Sequence, residues 1–205
     1  RSAGNLGWAM GPAIGGFLAT SSYALLFLIS AIMTTLSGLI VMFFLRAPET
    51  AKALDSFKFK DLLAIKKDTD LAVHVTLQFI LYLVVAQLIV PFSVYTVNIV
   101  GLSETELGYI FSLNGLLVVA LQLPVTHFLA RYRLTSQISS GALLYMIGYG
   151  MIGVFIGFEY FIIAMIIITV GEVFISPPSL TLTSRLAPPG RIGRYMGIHG
   201  FFLAA

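Results

Sequence analysis

The 205 residues are 58% hydrophobic and only 10% charged, with a mean hydropathy of +0.96, against roughly 25% charged residues in soluble domains. That balance excludes a soluble globular domain and points to an all-α polytopic transmembrane helix bundle, whose apolar runs of about 20 residues can each cross a ~30 Å hydrocarbon layer. No cysteine is present, which removes disulfide scaffolds, thiol catalysis and cysteine metal sites, and the net charge of +3 is informative only by position.

The first apolar run, residues 5–20, contains Gly7, Gly11, Pro12, Gly15 and Gly16. Glycines four apart share a helix face and let two backbones approach closely in lipid, while a mid-helix proline adds a kink. The string GWAMGPAIGG resembles the fifth-helix signature GxxxGPxxGG of major facilitator superfamily transporters, specifically the proton-coupled antiporters. That resemblance implies that Gly7, Gly11, Pro12, Gly15 and Gly16 seal a helix pair between the two halves of the transporter on its outer side. A tight contact is therefore expected at Gly11 and Gly15.

A second run, residues 23–45, stops at the charges and proline of Arg46-Ala47-Pro48-Glu49. Residues 46–72 hold five lysines among acids, with Phe57, Phe59, Leu62, Leu63 and Ile65 in a partly helical rhythm, as expected of an amphipathic helix on the membrane surface. In the family that it resembles, this segment is the cytoplasmic linker between the halves. Residues 1–45 then correspond to the last two helices of the N-terminal half, and 73–205 to most of the C-terminal half.

The third run, 73–100, carries Gln78, Gln87, Tyr95 and Asn98 around Pro91. At 100° per residue Gln87 and Tyr95 differ by about 80° and form a polar stripe. In GLSETELG, Ser103 and Glu106 have the spacing of a capping box that opens a fourth helix, and that helix repeats the polar device with Asn114 and Gln122. Such side chains in lipid either glue helices together or line an aqueous cavity. On the cavity reading, Gln87, Tyr95, Asn114 and Gln122 face one space between the halves and touch substrate. His127, beside Arg131 at a helix end, reads as interfacial. The fifth run, 138–156, presents Gly148, Gly150, Gly153 and Gly157 as a close-packing face.

The sixth run places Glu172 midway along IAMIIITVGEVFISPPSLTLTSRL, about a dozen residues and ~18 Å from either end. A central acid costs roughly 2.5 to 3.5 kcal/mol on insertion, so it marks a functional site until a partner explains it. The alternative is an acid that is neutral or hydrogen-bonded and only holds helices together. The stretch VGEVFISPPSLTLTSRLAPPGRIGRYMG is similar to the tenth helix and following loop of facilitator transporters. Both resemblances fall in order, so the chain aligns from the fifth helix to the start of the eleventh. Starting at Arg1 and ending at Ala205 inside an apolar run, it reads as a piece of a longer polypeptide, about half of a transporter.

Alternate connections hold Arg1; Arg46 with the five lysines; Arg131 and Arg133; and Arg185, Arg191 and Arg194, which together are all 12 lysines and arginines. By the positive-inside rule these connections face the cytoplasm of a multi-pass cell-membrane protein. No GxGxxG, Walker-type, HExxH or GxSxG motif occurs, and the three histidines are not clustered in sequence, so an enzyme, a cofactor, a metal and a nucleic-acid partner are not expected. The reading is a secondary transporter that exports small amphipathic compounds by proton-coupled alternating access. Its partners are a small-molecule substrate, protons, the lipid bilayer and the missing N-terminal half. Proton-coupled uptake, for example of peptides, is the alternative, and a non-transporting membrane subunit comes third.

Overall fold

The structure, a computed structural model, describes residues 2–45 and 68–204; the expected amphipathic segment therefore lies almost wholly outside the described residues. All regular structure among the described residues is helical. Helix α1 spans Ser2–Ser21, α2 Tyr23–Phe44, α3 Thr69–Ala86 and α4 Pro91–Val94, the last continuing as a π-helical segment over Tyr95–Val100. Helices α5 (Glu104–Leu129), α6 (Leu134–Val154), α7 (Phe158–Leu186) and α8 (Ile192–Ala204) follow. Five rods are long and apolar enough to cross a bilayer among the described residues: α2, Thr69–Val100, α5, α6 and α7.

Local chemistry sets the helix ends. The Asp68 side chain accepts from the Leu71 amide at 3.1 Å, so α3 starts at Thr69, ahead of the expected residue 73; an N-cap side chain satisfies an amide that the first turn leaves without a partner. Ser103 and Glu106 form the reciprocal capping box that their spacing predicts. The π segment ends at Gly101, whose φ of 84° is a left-handed conformation costly for any residue with a Cβ. The Thr69–Val100 rod is interrupted: Gln87 and Leu88 bond back three residues, and the Phe92 amide reaches the Gln87 carbonyl at 2.9 Å. Pro91, which has no amide hydrogen to give, sits at the restart.

Packing depends on missing side chains. Helices α1 and α5 run backbone to backbone: a Cβ on Gly115 would stand 2.5 Å from the Ala9 Cα, one on Gly108 2.6 Å from the Pro12 carbonyl oxygen, and one on Gly16 2.5 Å from the Glu104 carbonyl oxygen. Ala9, Pro12 and Gly16 are thus the α1 face of this seam. The contact expected at Gly11 and Gly15 is not met among the described residues, because a Cβ at Gly7 or Gly11 meets nothing within 4 Å and one at Gly15 only Leu26 Cδ1 at 3.9 Å. The phase of α1 explains this, since residues 7, 11 and 15 lie on the side turned away from α5.

Helices α6 and α7 repeat the device through Gly141, Gly148 and Gly171. A Cβ on Gly141 would lie 2.5 Å from Ile175 Cγ1 and 2.8 Å from the Gly171 carbonyl oxygen. Of the glycines expected on this face only Gly148 belongs to it: Gly150 and Gly153 have open space, and Gly157 occupies the preceding turn with φ 137°. Helix α8 closes the bundle at its basic end, where Tyr195 and Ile198 pack on Leu71 and Val75 of α3.

Candidate functional site

The apolar helix α7 carries Thr169, Glu172, Ser176, Ser179 and Thr183 at alternating steps of three and four residues, the spacing that keeps side chains on one helical face. This stripe, Glu172 at its centre, is visible in the residue spacing alone. It turns toward a cavity of about 500 Å³ bordered by α1, α3, α5, α6, α7 and α8, and Glu172, Ser176 and Ser179 line that space. Trp8, Phe111, Tyr82 and Tyr145 supply aromatic surface on the same walls.

Asn114 organises the middle of the cavity. The Trp8 indole N–H donates to Asn114 Oδ1 at 2.9 Å. An indole can only donate, which orients the amide and turns its NH₂ toward α7. There Nδ2 donates to Thr169 Oγ1 at 2.9 Å and to Glu172 Oε2 at 3.1 Å. Thr169 in turn donates to the Met165 carbonyl at 2.7 Å. A chain of hydrogen bonds therefore joins α1, α5 and α7 and ends on the acid.

This arrangement suits both states of Glu172. An ionised carboxylate accepts from Asn114 with either oxygen, and a neutral carboxyl accepts equally well through its carbonyl oxygen while its hydroxyl donates elsewhere. An arginine or lysine in the place of Asn114 would hold the acid permanently charged; an amide leaves the proton free to come and go. The site can thus bind a proton or a cation, with aromatic faces available for an organic cation.

The other expected cavity residues are divided. Gln87 and Tyr95 lie together, but around a separate pocket of about 380 Å³ with Pro91 and Tyr149. Asn114 faces the Glu172 cavity, while Gln122, half-buried and about 12 Å further along α5, is not among its lining residues. The helical count fails across residues 87–90, where the turn resets the phase between α3 and Tyr95. Trp8, Gln78, Thr169 and Ser179 enter the site without having been singled out for it.

A buried polar cluster closes the basic end of the cavity. Gln78 Nε2 donates to Ser179 Oγ at 2.5 Å, and His74 and His199, with 6% and 3% of their surfaces exposed, both approach Thr183 Oγ1 at 3.1 Å. His127 instead lies exposed near the end of α5.

The sequence model of the Major Facilitator Superfamily matches residues 1–205. The chain is similar to two uncharacterized MFS-type transporters of Bacillus subtilis strain 168. It is 29% identical to YttB over 199 residues, covering 94% of this chain and 49% of that protein. To YqjV it is 25% identical over 206 residues, covering 96% and 50%. It thus spans about half the length of the curated relatives that it matches. With helices of membrane-crossing length around an acid-bearing cavity and a family match along its whole length, the chain belongs to the major facilitator superfamily.

Proposed function

We propose that this chain supplies the cavity-forming part of a secondary transporter that works by alternating access and exchanges protons for small amphipathic, preferably cationic, compounds moving out of the cell. The observation that carries the reading is Glu172, the one acid midway along α7, held at 3.1 Å by the neutral amide of Asn114 on the wall of an aromatic cavity. Burial disfavours the ionised form of a carboxylate and an organic cation restores it, so proton and cation compete for one site. That competition is the minimal chemistry of antiport. The segregation of basic residues supports placing residues 46–67 and the Arg131, Arg185 and Arg191 ends in the cytoplasm of a cell-membrane protein. Uptake of peptides is the second reading; among the described residues no lysine or arginine lines the cavity to meet a carboxylate terminus.

The test is transport by the intact protein in proteoliposomes, with ethidium as the cationic probe and an imposed pH gradient. Glu172→Gln keeps the shape and the Asn114 hydrogen bond but cannot ionise. Proton-driven ethidium transport is expected to fall to background in this variant. Unchanged, pH-dependent transport would reduce Glu172 to a structural hydrogen-bonding residue.

A further inference from the structure

The polar stripe of α7 continues past Glu172 toward the basic end of the bundle, and Thr183 lies about 16 Å from the acid along the axis. There it meets imidazoles from two other helices. His74 Nε2 lies 3.2 Å from the Ser179 carbonyl oxygen and 3.1 Å from Thr183 Oγ1. A carbonyl only accepts, so His74 Nε2 carries a hydrogen and donates. His199 Nδ1 lies 3.1 Å from the same Thr183 oxygen, and the two rings stack with centroids 5.7 Å apart and planes 14° from parallel.

Thr183 has one hydrogen and two places to put it. With His199 Nδ1 bare, the hydroxyl donates to it. With a hydrogen on Nδ1, the imidazole donates to Thr183 and the hydroxyl turns to the Ser179 carbonyl, 2.9 Å away. Both arrangements leave every group at this junction bonded, so His199 can gain or lose a proton at little structural cost. Two stacked imidazoliums would repel strongly at this separation in a buried setting, so the pair takes up at most one proton beyond its neutral state.

The titratable and charged groups around the pair are few. Asp68 and Asp70 lie at the start of α3, Glu172 and Arg185 on α7, Arg191, Arg194 and Tyr195 on α8, and Tyr82 and Tyr145 on the cavity walls. Asp68 accepts from the Tyr195 hydroxyl at 2.6 Å, one turn before His199. The pair therefore stands between this basic end and the cavity, and His199 lines the same space as Glu172.

We propose that His74 and His199, joined through Thr183, form the proton-exchange site by which Glu172 communicates with the cytoplasm. This rests on the reading of Glu172 as the proton-carrying group. Through water in the cavity, the O–H bond of neutral Glu172 breaks and an N–H bond forms on His199, leaving a carboxylate and an imidazolium. The imidazolium then gives one proton to water at the basic end and the neutral pair is restored. One proton has crossed and nothing is oxidised or reduced.

The experiment compares His74→Gln/His199→Gln with Glu172→Gln in proteoliposomes of the intact protein, using ethidium and an entrapped pH dye. Net proton-driven transport and ethidium counterflow, which needs no net proton movement, are read separately. The double variant is expected to lose about a hundredfold or more of the net rate, the lower end of what a positioned proton donor supplies. Its dependence on the pH of the basic face between about 5 and 8 should flatten, with counterflow reduced far less than the net rate. Should the double variant lack counterflow, His199→Gln and Thr183→Val are read in the same way, with Thr183→Ser restoring the rate. A wild-type net rate and pH profile in the histidine variants beside an inactive Glu172→Gln overturns the exchange site alone. Normal transport by Glu172→Gln overturns both readings, and parallel loss of counterflow in every cluster variant assigns the cluster to packing and overturns the proposal.

Discussion

The two faces of α7 use the same spacing for opposite ends. Toward α6 it presents Ala164, Ile168, Gly171 and Ile175, fully or nearly buried, and a Cβ on Gly171 would stand 2.8 Å from Tyr145 Cδ1 and 3.0 Å from the Gly141 carbonyl. About 100° away it presents Thr169, Glu172, Ser176, Ser179 and Thr183. In lipid, apolar surface brings helices together only weakly, so close backbone packing supplies the cohesion on one face. The polar face is held by hydrogen bonds from Asn114, Gln78 and His74. A helix fixed rigidly on one side can thus carry a charge-changing group on the other.

If the dry face supplies the rigidity, filling it should do the most damage. Gly171→Leu would drive a side chain into Tyr145 and the Gly141 carbonyl, and overpacking of this kind costs about 1–3 kcal/mol or more. The melting temperature of the purified protein in detergent should fall steeply, or the protein should fail to accumulate. Gly150→Leu, on the same helix pair but facing open space, should melt as the wild type does. Equal damage from the two would erase the distinction between the faces.

The wet face should respond more moderately. Asn114→Leu removes the acceptor of the Trp8 indole and a donor to Glu172, and each buried polar group left short costs about 1–3 kcal/mol. Ethidium affinity should drop roughly tenfold, as 1.4 kcal/mol implies, with the protein still folded. Full retention of affinity would show that Glu172 does not depend on its amide partner.

How much of this was legible in the sequence depended on whether one helix or several had to be known. The depth of Glu172 and the Ser103–Glu106 cap needed one segment only, and both stand where the sequence put them. Glycine positions were legible as a stripe but not as a contact: Gly7, Gly11 and Gly15 recur every fourth residue just as Ala9, Pro12 and Gly16 nearly do, and only the docking of α5 selects between the two phases. The pairing of His74 with His199 could not be read at all, because it depends on α3, α7 and α8 meeting at Thr183. The α7 stripe is legible in its three-and-four spacing, but hydroxyls are common in apolar helices, where they bond back to their own turn, as Thr169 also does, so spacing alone does not mark them as a site.

The smallest expected effect lies at the basic end. The Tyr195 hydroxyl bound to Asp68 holds that carboxylate below its usual range, with the Leu71 amide adding to the effect. A carboxylate depressed in the fold stabilises above its unfolded value, near 3.9, and loses that contribution as pH falls through the folded value. Tyr195→Phe should therefore lower the melting temperature slightly at neutral pH, by an amount worth about 1 kcal/mol or less, because the Asp68 carboxylate is half-exposed at the helix end. The difference from wild type should close in acid, as pH falls below the unfolded value and through the lowered folded one. A gap that persists in acid would mean that Tyr195 acts by packing on Leu71 and Val75 instead.

The central claim is that Glu172 exchanges its proton for a cationic substrate, and infrared difference spectroscopy of the reconstituted intact protein observes that exchange directly. Adding ethidium at neutral pH should bleach the carbonyl band of a protonated carboxyl and raise carboxylate bands, and both changes should vanish in Glu172→Gln. Identical difference spectra from the wild type and Glu172→Gln would contradict the account.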